Sequence, residues 1–111
     1  MVKSPQIEYE NKVMRAMISG DIDHHCAKFI RKEIDSFIFE HKPLMIILDL
    51  SGVEFMDSSG LGLILGRYTN ACEIGAKFAV YCPNRKIRKI LELAGIERIM
   101  SIEGDDGYEI C

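Results

Sequence analysis

The segment from Leu44 to Leu50 constrains this chain more than any other. It is apolar from Leu44 to Leu48, is broken only by Asp49, and runs into Ser51-Gly52. A strand wetted on one side alternates polar and apolar side chains, whereas a central strand covered on both faces reads as a continuous apolar run. The segment is therefore expected to be a central strand, ending at Ser51-Gly52, in a sheet that carries helices.

The flanking sequence supplies the rest of such a layer. Gln6 to Tyr9 and Val13 to Ser19 read as two short strands around Glu10-Asn11-Lys12, a hairpin with Met14, Ala16 and Ile18 on one face. After Gly20-Asp21-Ile22, Asp23 is a good N-cap for a helix whose stripe is Ala27, Ile30, Ile34, Phe37 and Ile38, ending near His41 before Pro43. Ser59 to Ile74 carries Leu61, Ile64, Leu65, Tyr68, Ala71 and Cys72 in helical rhythm, with Gly75 as its stop. Lys77 to Cys82 is the next strand. Pro83-Asn84 opens a third helix with stripe Ile87, Ile90, Leu91 and Ala94, closed by Gly95. Arg98 to Ile102 reads as a short last strand, and the acidic stretch Glu103 to Cys111 leaves room for one loose helical turn. Strands alternating with helices after a hairpin give an α/β fold, a mixed four- to five-stranded sheet with three main helices and right-handed crossovers. No repeat or linker divides residues 1–111, which read as one domain.

Composition narrows the function classes. A chain of 111 residues buries one ordinary core without staples, and its formal charge of −3 opposes general attraction to nucleic acid or anionic membrane. No run reaches the ~18 apolar residues of a membrane span, and charge and proline occupy the start where a signal peptide would be apolar. The expectation is a soluble, cytoplasmic protein without direct DNA or membrane binding. Cys26, Cys72, Cys82 and Cys111 are spaced too irregularly for a disulfide framework and read as free, mostly buried thiols. Met14, Met17, Met45 and Met56 read as core.

In open sheets of this type sites form beyond the carboxyl ends of the strands, which singles out Gly20-Asp21-Ile22-Asp23 and Ser51 to Gly60. Phe55-Met56-Asp57-Ser58-Ser59-Gly60-Leu61-Gly62 joins the buried strand to an amphipathic helix. One capping residue suffices at a helix start, yet three capping types stand in a row, followed by two glycines that cost helix propensity about 1 kcal/mol each. That pattern suits a backbone that something must approach closely. Gly60 and Gly62 equally suit close packing of helix on sheet. His24, His25 and Cys26 are adjacent on a helix, where side chains diverge by about 100°, so they do not converge on one metal and read as exposed or half-buried. Arg85, Lys86, Arg88 and Lys89 read as a solvated basic face.

Gly20-Asp21-Ile22-Asp23-His24-His25, together with Phe55 to Gly62 running on through Leu65-Gly66-Arg67-Tyr68, closely resembles the anti-sigma factor antagonists of the STAS-domain family, and within them the sporulation type of endospore-forming bacteria. The resemblance covers Gln6 to Met100. It implies a protein switch rather than an enzyme, with no cofactor of its own. The unphosphorylated form binds a nucleotide-bound anti-sigma factor that is also a serine kinase, which frees a sigma factor for transcription. The kinase phosphorylates the first serine of the motif, here Ser58, and a metal-dependent serine phosphatase reverses this. The partner surface is expected at Asp21, Asp23, Asp57, Ser58, Ser59, Gly60 and Gly62, with Ser59 read as the cap or a structural hydrogen-bonding residue and, less so, a secondary acceptor, and Asp23 equally explained as a plain N-cap; the resemblance suggests a monomer.

Three other functions compete. A serine-nucleophile hydrolase would need a base near Ser58 and a G-x-S-x-G elbow, and Met56-Asp57 precedes the serine instead. A receiver-like domain phosphorylated on Asp49 or Asp57 would need carboxylates at the end of its first strand to hold Mg²⁺, and Val13 to Ser19 offers none. A nucleotide-binding module would lack a P-loop.

Overall fold

The computed structural model describes residues 4–104. β1 (Gln6–Glu10) and β2 (Val13–Ile22) form an antiparallel hairpin. Its two turn residues Asn11 and Lys12 both take positive φ, 53° and 65°, as a type I′ connection demands. Helix α1 (His24–His41) follows, then β3 (Met45–Met56), α2 (Ser58–Glu73), β4 (Lys77–Tyr81), α3 (Arg85–Leu93), a 3-10 turn at Ile96–Arg98 and β5 (Ser101–Glu103). The sheet has five strands in the order β1-β2-β3-β4-β5, parallel from β2 to β5. Each crossover steps one strand in the same direction, so all three helices lie on one face.

That face holds the core. Met14, Ala16 and Ile18 of β2, Ile46, Leu48 and Leu50 of β3, and Val80 of β4 pack in one cluster with Ile30, Ile34 and Ile38 of α1, Leu63, Ile64 and Ala71 of α2, and Ile87 and Leu91 of α3. The central strand is thus covered by helices on one face rather than two. On the other face Met45 and Ile47 are only half-buried. Asp49 is nevertheless 5% exposed there: its Oδ2 accepts from Arg15 Nε (3.0 Å) and Nη2 (2.8 Å), and its Oδ1 accepts from the Ser51 amide and hydroxyl. The Arg15 guanidinium lies over the Tyr81 ring, 5.0 Å from its centroid. A charged pair and an aromatic side chain close this face without a helix.

Several boundaries move. β3 does not stop at Ser51-Gly52 but continues to Met56, and β2 does not stop at Ser19 but continues to Ile22. β4 leaves β3 at Asp49, so Leu50 to Met56 pairs with β2 alone, a two-stranded extension beyond the sheet. Register shifts between Met17 and Ser19 and between Gly20 and Asp21 let β2 follow, with Gly20 at φ 84°. Gly52 allows the close approach, since a Cβ there would stand 2.9 Å from Ser19 Cβ. Arg98 is in the 3-10 turn rather than a strand, and the last strand is only three residues long.

The buried stripe of α2 is Gly60, Leu63, Ile64, Arg67 and Ala71, rotated from the expected one, and Leu65 and Cys72 are exposed. Ala94 and Leu44 are also exposed. Of the cysteines within the described residues only Cys82 is buried; Cys26 is half-buried and Cys72 exposed, while Cys111 and the suggested tail turn lie outside. Met14 and Met56 are in the core, but Met17 and Met45 lie half-buried on the open face.

Candidate functional site

Two parallel strands end together, and two helices start from them. Ile22 at the end of β2 pairs with Met56 at the end of β3, and the Asp57 amide donates to the Ile22 carbonyl at 3.3 Å. One residue further on each chain is an aspartate in extended conformation that caps the helix it precedes. Asp23 Oδ1 accepts from the Cys26 amide (2.9 Å) and Asp57 Oδ1 accepts from the Ser59 amide (2.8 Å). The cap of α2 is therefore Asp57, and Ser59 is the residue being capped. Asp57 caps because it holds the extended position just before the helix, and its carboxylate adds charge to the hydrogen bond at the positive helix end. The cap's backbone hydrogen bond to Cys26 holds the Asp23 carboxyl below its ordinary value, and the His25 charge adds a smaller effect in the same direction.

This geometry gathers the residues that the sequence placed in two separate loops. Asp21 pairs in register with Phe55, both exposed, so Asp21, Asp23, Asp57 and Ser58 crowd the tip of the extension and the adjoining helix starts. Ser58 is the first residue of α2 and is exposed; no hydrogen bond among the described residues uses its hydroxyl, because the neighbouring carboxylate does the capping. Phe55, 48% exposed beside them, is an aromatic that the motif contained but that sequence reasoning gave no role.

The two glycines separate. Gly60 is buried on the sheet side of α2, where a Cβ would overlap the Met56 side chain, so helix-on-sheet packing explains it. Gly62 is exposed and a Cβ there would meet nothing within 4 Å, so it leaves the helix surface bare.

Other candidates have different employment. His24 and His25 are exposed at the start of α1, and among the described residues no group of three or more metal-ligating side chains gathers. Asp49 is committed to Arg15 and Ser51 on the open face of the sheet. The basic stretch of α3 is not uniformly solvated. Arg88 is half-buried, donating to the Ile102 carbonyl (3.1 Å) and the Gly104 carbonyl (3.4 Å), and so ties α3 to β5. Sequence reasoning also missed Arg67, 5% exposed within the stripe of α2, with its Nε 2.8 Å from Asp35 Oδ1 across the α1–α2 interface. Asn70 donates to the same oxygen at 2.8 Å. Burial, with Arg31 adding to it, pushes the Arg67 guanidinium below its ordinary value, and Asp35 opposes this. Its spacing of four from Leu63 was the available signal. Among the described residues, no helix is long and apolar enough to cross a membrane.

Comparison with known proteins gives a consistent result. A family model described as the STAS domain matches residues 4–106. An anti-sigma F factor antagonist from Paenibacillus polymyxa is 36% identical over 97 residues, spanning 87% of this chain and 83% of the relative. The solved anti-sigma factor antagonist SpoIIAA in its unphosphorylated form superposes with a TM-score of 0.77 at 28% identity, covering 91% of this chain and 89% of that one. The Bacillus cell fate determinant SpoIIAA in the phosphorylated form superposes with a TM-score of 0.70 at 28% identity, covering 91% and 92%.

Proposed function

The chain belongs to the STAS-domain family, alongside anti-sigma factor antagonists, and from that premise we propose that it is itself an anti-sigma factor antagonist switched by phosphorylation of Ser58. In its unmodified form it binds an anti-sigma factor that is also a serine kinase, which releases a sigma factor, as in sporulation. Phosphorylation of Ser58 by that kinase ends the interaction, and a metal-dependent serine phosphatase restores it.

The observation that carries this reading is the division of labour at the start of α2. Asp57 supplies the cap, so the exposed Ser58 hydroxyl has no structural duty and is open to a kinase. A phosphate there meets free helix N–H groups and the positive end of the dipole, so the fold tolerates it. The surface changes instead. About −1.5 to −2 charges appear beside Asp57, Asp21 and Asp23. A partner fitted to a small neutral hydroxyl then meets bulk and buried like charge, and a penalty of about 4 kcal/mol weakens binding about a thousandfold. No large rearrangement is required.

Asp21, Asp23, Asp57, Ser59 and Gly62 border Ser58 and form the surface presented to the anti-sigma factor, while Gly60 contributes from beneath by seating the helix. The test is incubation with the anti-sigma factor of the same genome and Mg-ATP, followed by mass-spectrometric mapping of the modified residue. Modification at Ser58 that Ser58→Ala abolishes supports the reading; normal phosphorylation of the alanine variant refutes the assignment.

A further inference from the structure

Beside Ser58, between α1 and α2, lies an open groove of about 380 Å³ whose charge is at odds with the chain's net −3. Its α1 wall presents His24, Lys28 and Arg31, spaced four and three residues apart on one face of the helix. Its α2 wall presents Ser59, Gly62 and Leu63, and the missing side chain of Gly62 keeps the groove open. No carboxylate lines it, and none of the ion pairs among the described residues occupies His24, Lys28 or Arg31. Asp23 and Asp57 each direct one oxygen to a helix cap, and Asp35 pairs with Arg67. Both helices start at this end, so both positive dipole ends face the same region.

We propose that this groove is a binding site for a phosphate group, held by Lys28 and Arg31 with His24 and the Ser59 end of α2. Two cations three residues apart, facing the Ser59 side of the groove and the positive end of α2, offer several charge-assisted donors to one tetrahedral oxyanion. The site stands on its own geometry and does not depend on the kinase reading.

The experiment titrates inorganic phosphate into the unmodified protein at constant ionic strength held with chloride, following backbone amides by NMR. The expected result is saturable shifts at His24, Lys28, Ser59 and Gly62. In Lys28→Gln/Arg31→Gln the apparent Kd rises at least about tenfold, as loss of charged donors predicts, while Lys86→Gln/Lys89→Gln on α3 leaves it unchanged. O-phosphoserine as a second probe separates the sources: tighter binding than inorganic phosphate assigns the groove to a phosphorylated side chain, and equal binding to free phosphate. Shifts that never saturate, that centre on α3, or that survive the groove double variant overturn the proposal.

Discussion

Asp57 and Ser58 are adjacent polar residues with opposite roles, and the difference is one of geometry. The carboxylate turns back onto the Ser59 amide, while the hydroxyl faces solvent. Removing the cap should therefore cost stability: Asp57→Ala is expected to lose about 1 kcal/mol in urea denaturation. Ser58→Ala should leave stability nearly unchanged and keep the affinity for the anti-sigma factor, while Ser58→Asp weakens it. An alanine variant that no longer bound would place the hydroxyl in the interface rather than in the switch. Asp23 yields a pH prediction with a definite sign. Its folded-state pKa lies below the ordinary value of 3.8, so its charge adds stability above that value, and the contribution disappears as pH falls through the lowered one. Wild type should exceed Asp23→Asn in stability at neutral pH, and the gap should close in acid; a gap constant with pH would contradict this. Both aspartates were visible in the sequence as capping types. Which of Asp57, Ser58 and Ser59 caps α2 was not, because all three side chains carry the oxygen a cap needs.

At the scale of elements, α2 shows what apolar periodicity misses. Its buried stripe includes a glycine and an arginine, and a pattern read from apolar residues alone turns the helix away from its true face. Gly60 is buried because Met56 fills the space its side chain would take, and Arg67 because Asp35 on α1 supplies its counter-charge. Gly60→Ala should thus destabilise by about 1 to 3 kcal/mol through overpacking. Combining it with Met56→Ala should give less than the sum of the two single losses. Gly62→Ala, in open space on the same helix, should be neutral or stabilising by up to about 1 kcal/mol. Thermal melts of the four variants check the set; equal losses at the two glycines would mean that packing is not what distinguishes them. The extension of β2 and β3 was illegible for a related reason. Gly20, Asp21, Ser51 and Gly52 are weak strand formers, and the strand survives through its pairing partner rather than through propensity. The hairpin, the order of elements and the motif at the helix start were legible, since turn chemistry, alternation and capping types are local signals.

For the whole molecule, the arrangement separates the core from the proposed switch site. The core lies between one face of the sheet and three helices, whereas the site occupies one end, where two helices start side by side. Chemical access should follow the same division. Burial pushes the Cys82 thiol above its ordinary pKa, while Cys72 stands exposed on α2. Iodoacetamide should therefore label Cys72 in the native state and reach Cys82 only on unfolding; comparable rates would mean that the core opens. The same separation implies that phosphorylation alters the surface at α2 without repacking the sheet. The most direct measurement of that claim is calorimetric affinity for the anti-sigma factor before and after phosphorylation of Ser58, with amide spectra of both forms. The account predicts a loss of about a thousandfold with shifts confined to the starts of α1 and α2 and the β2–β3 tip; unchanged affinity, or shifts spread through the core, would contradict it.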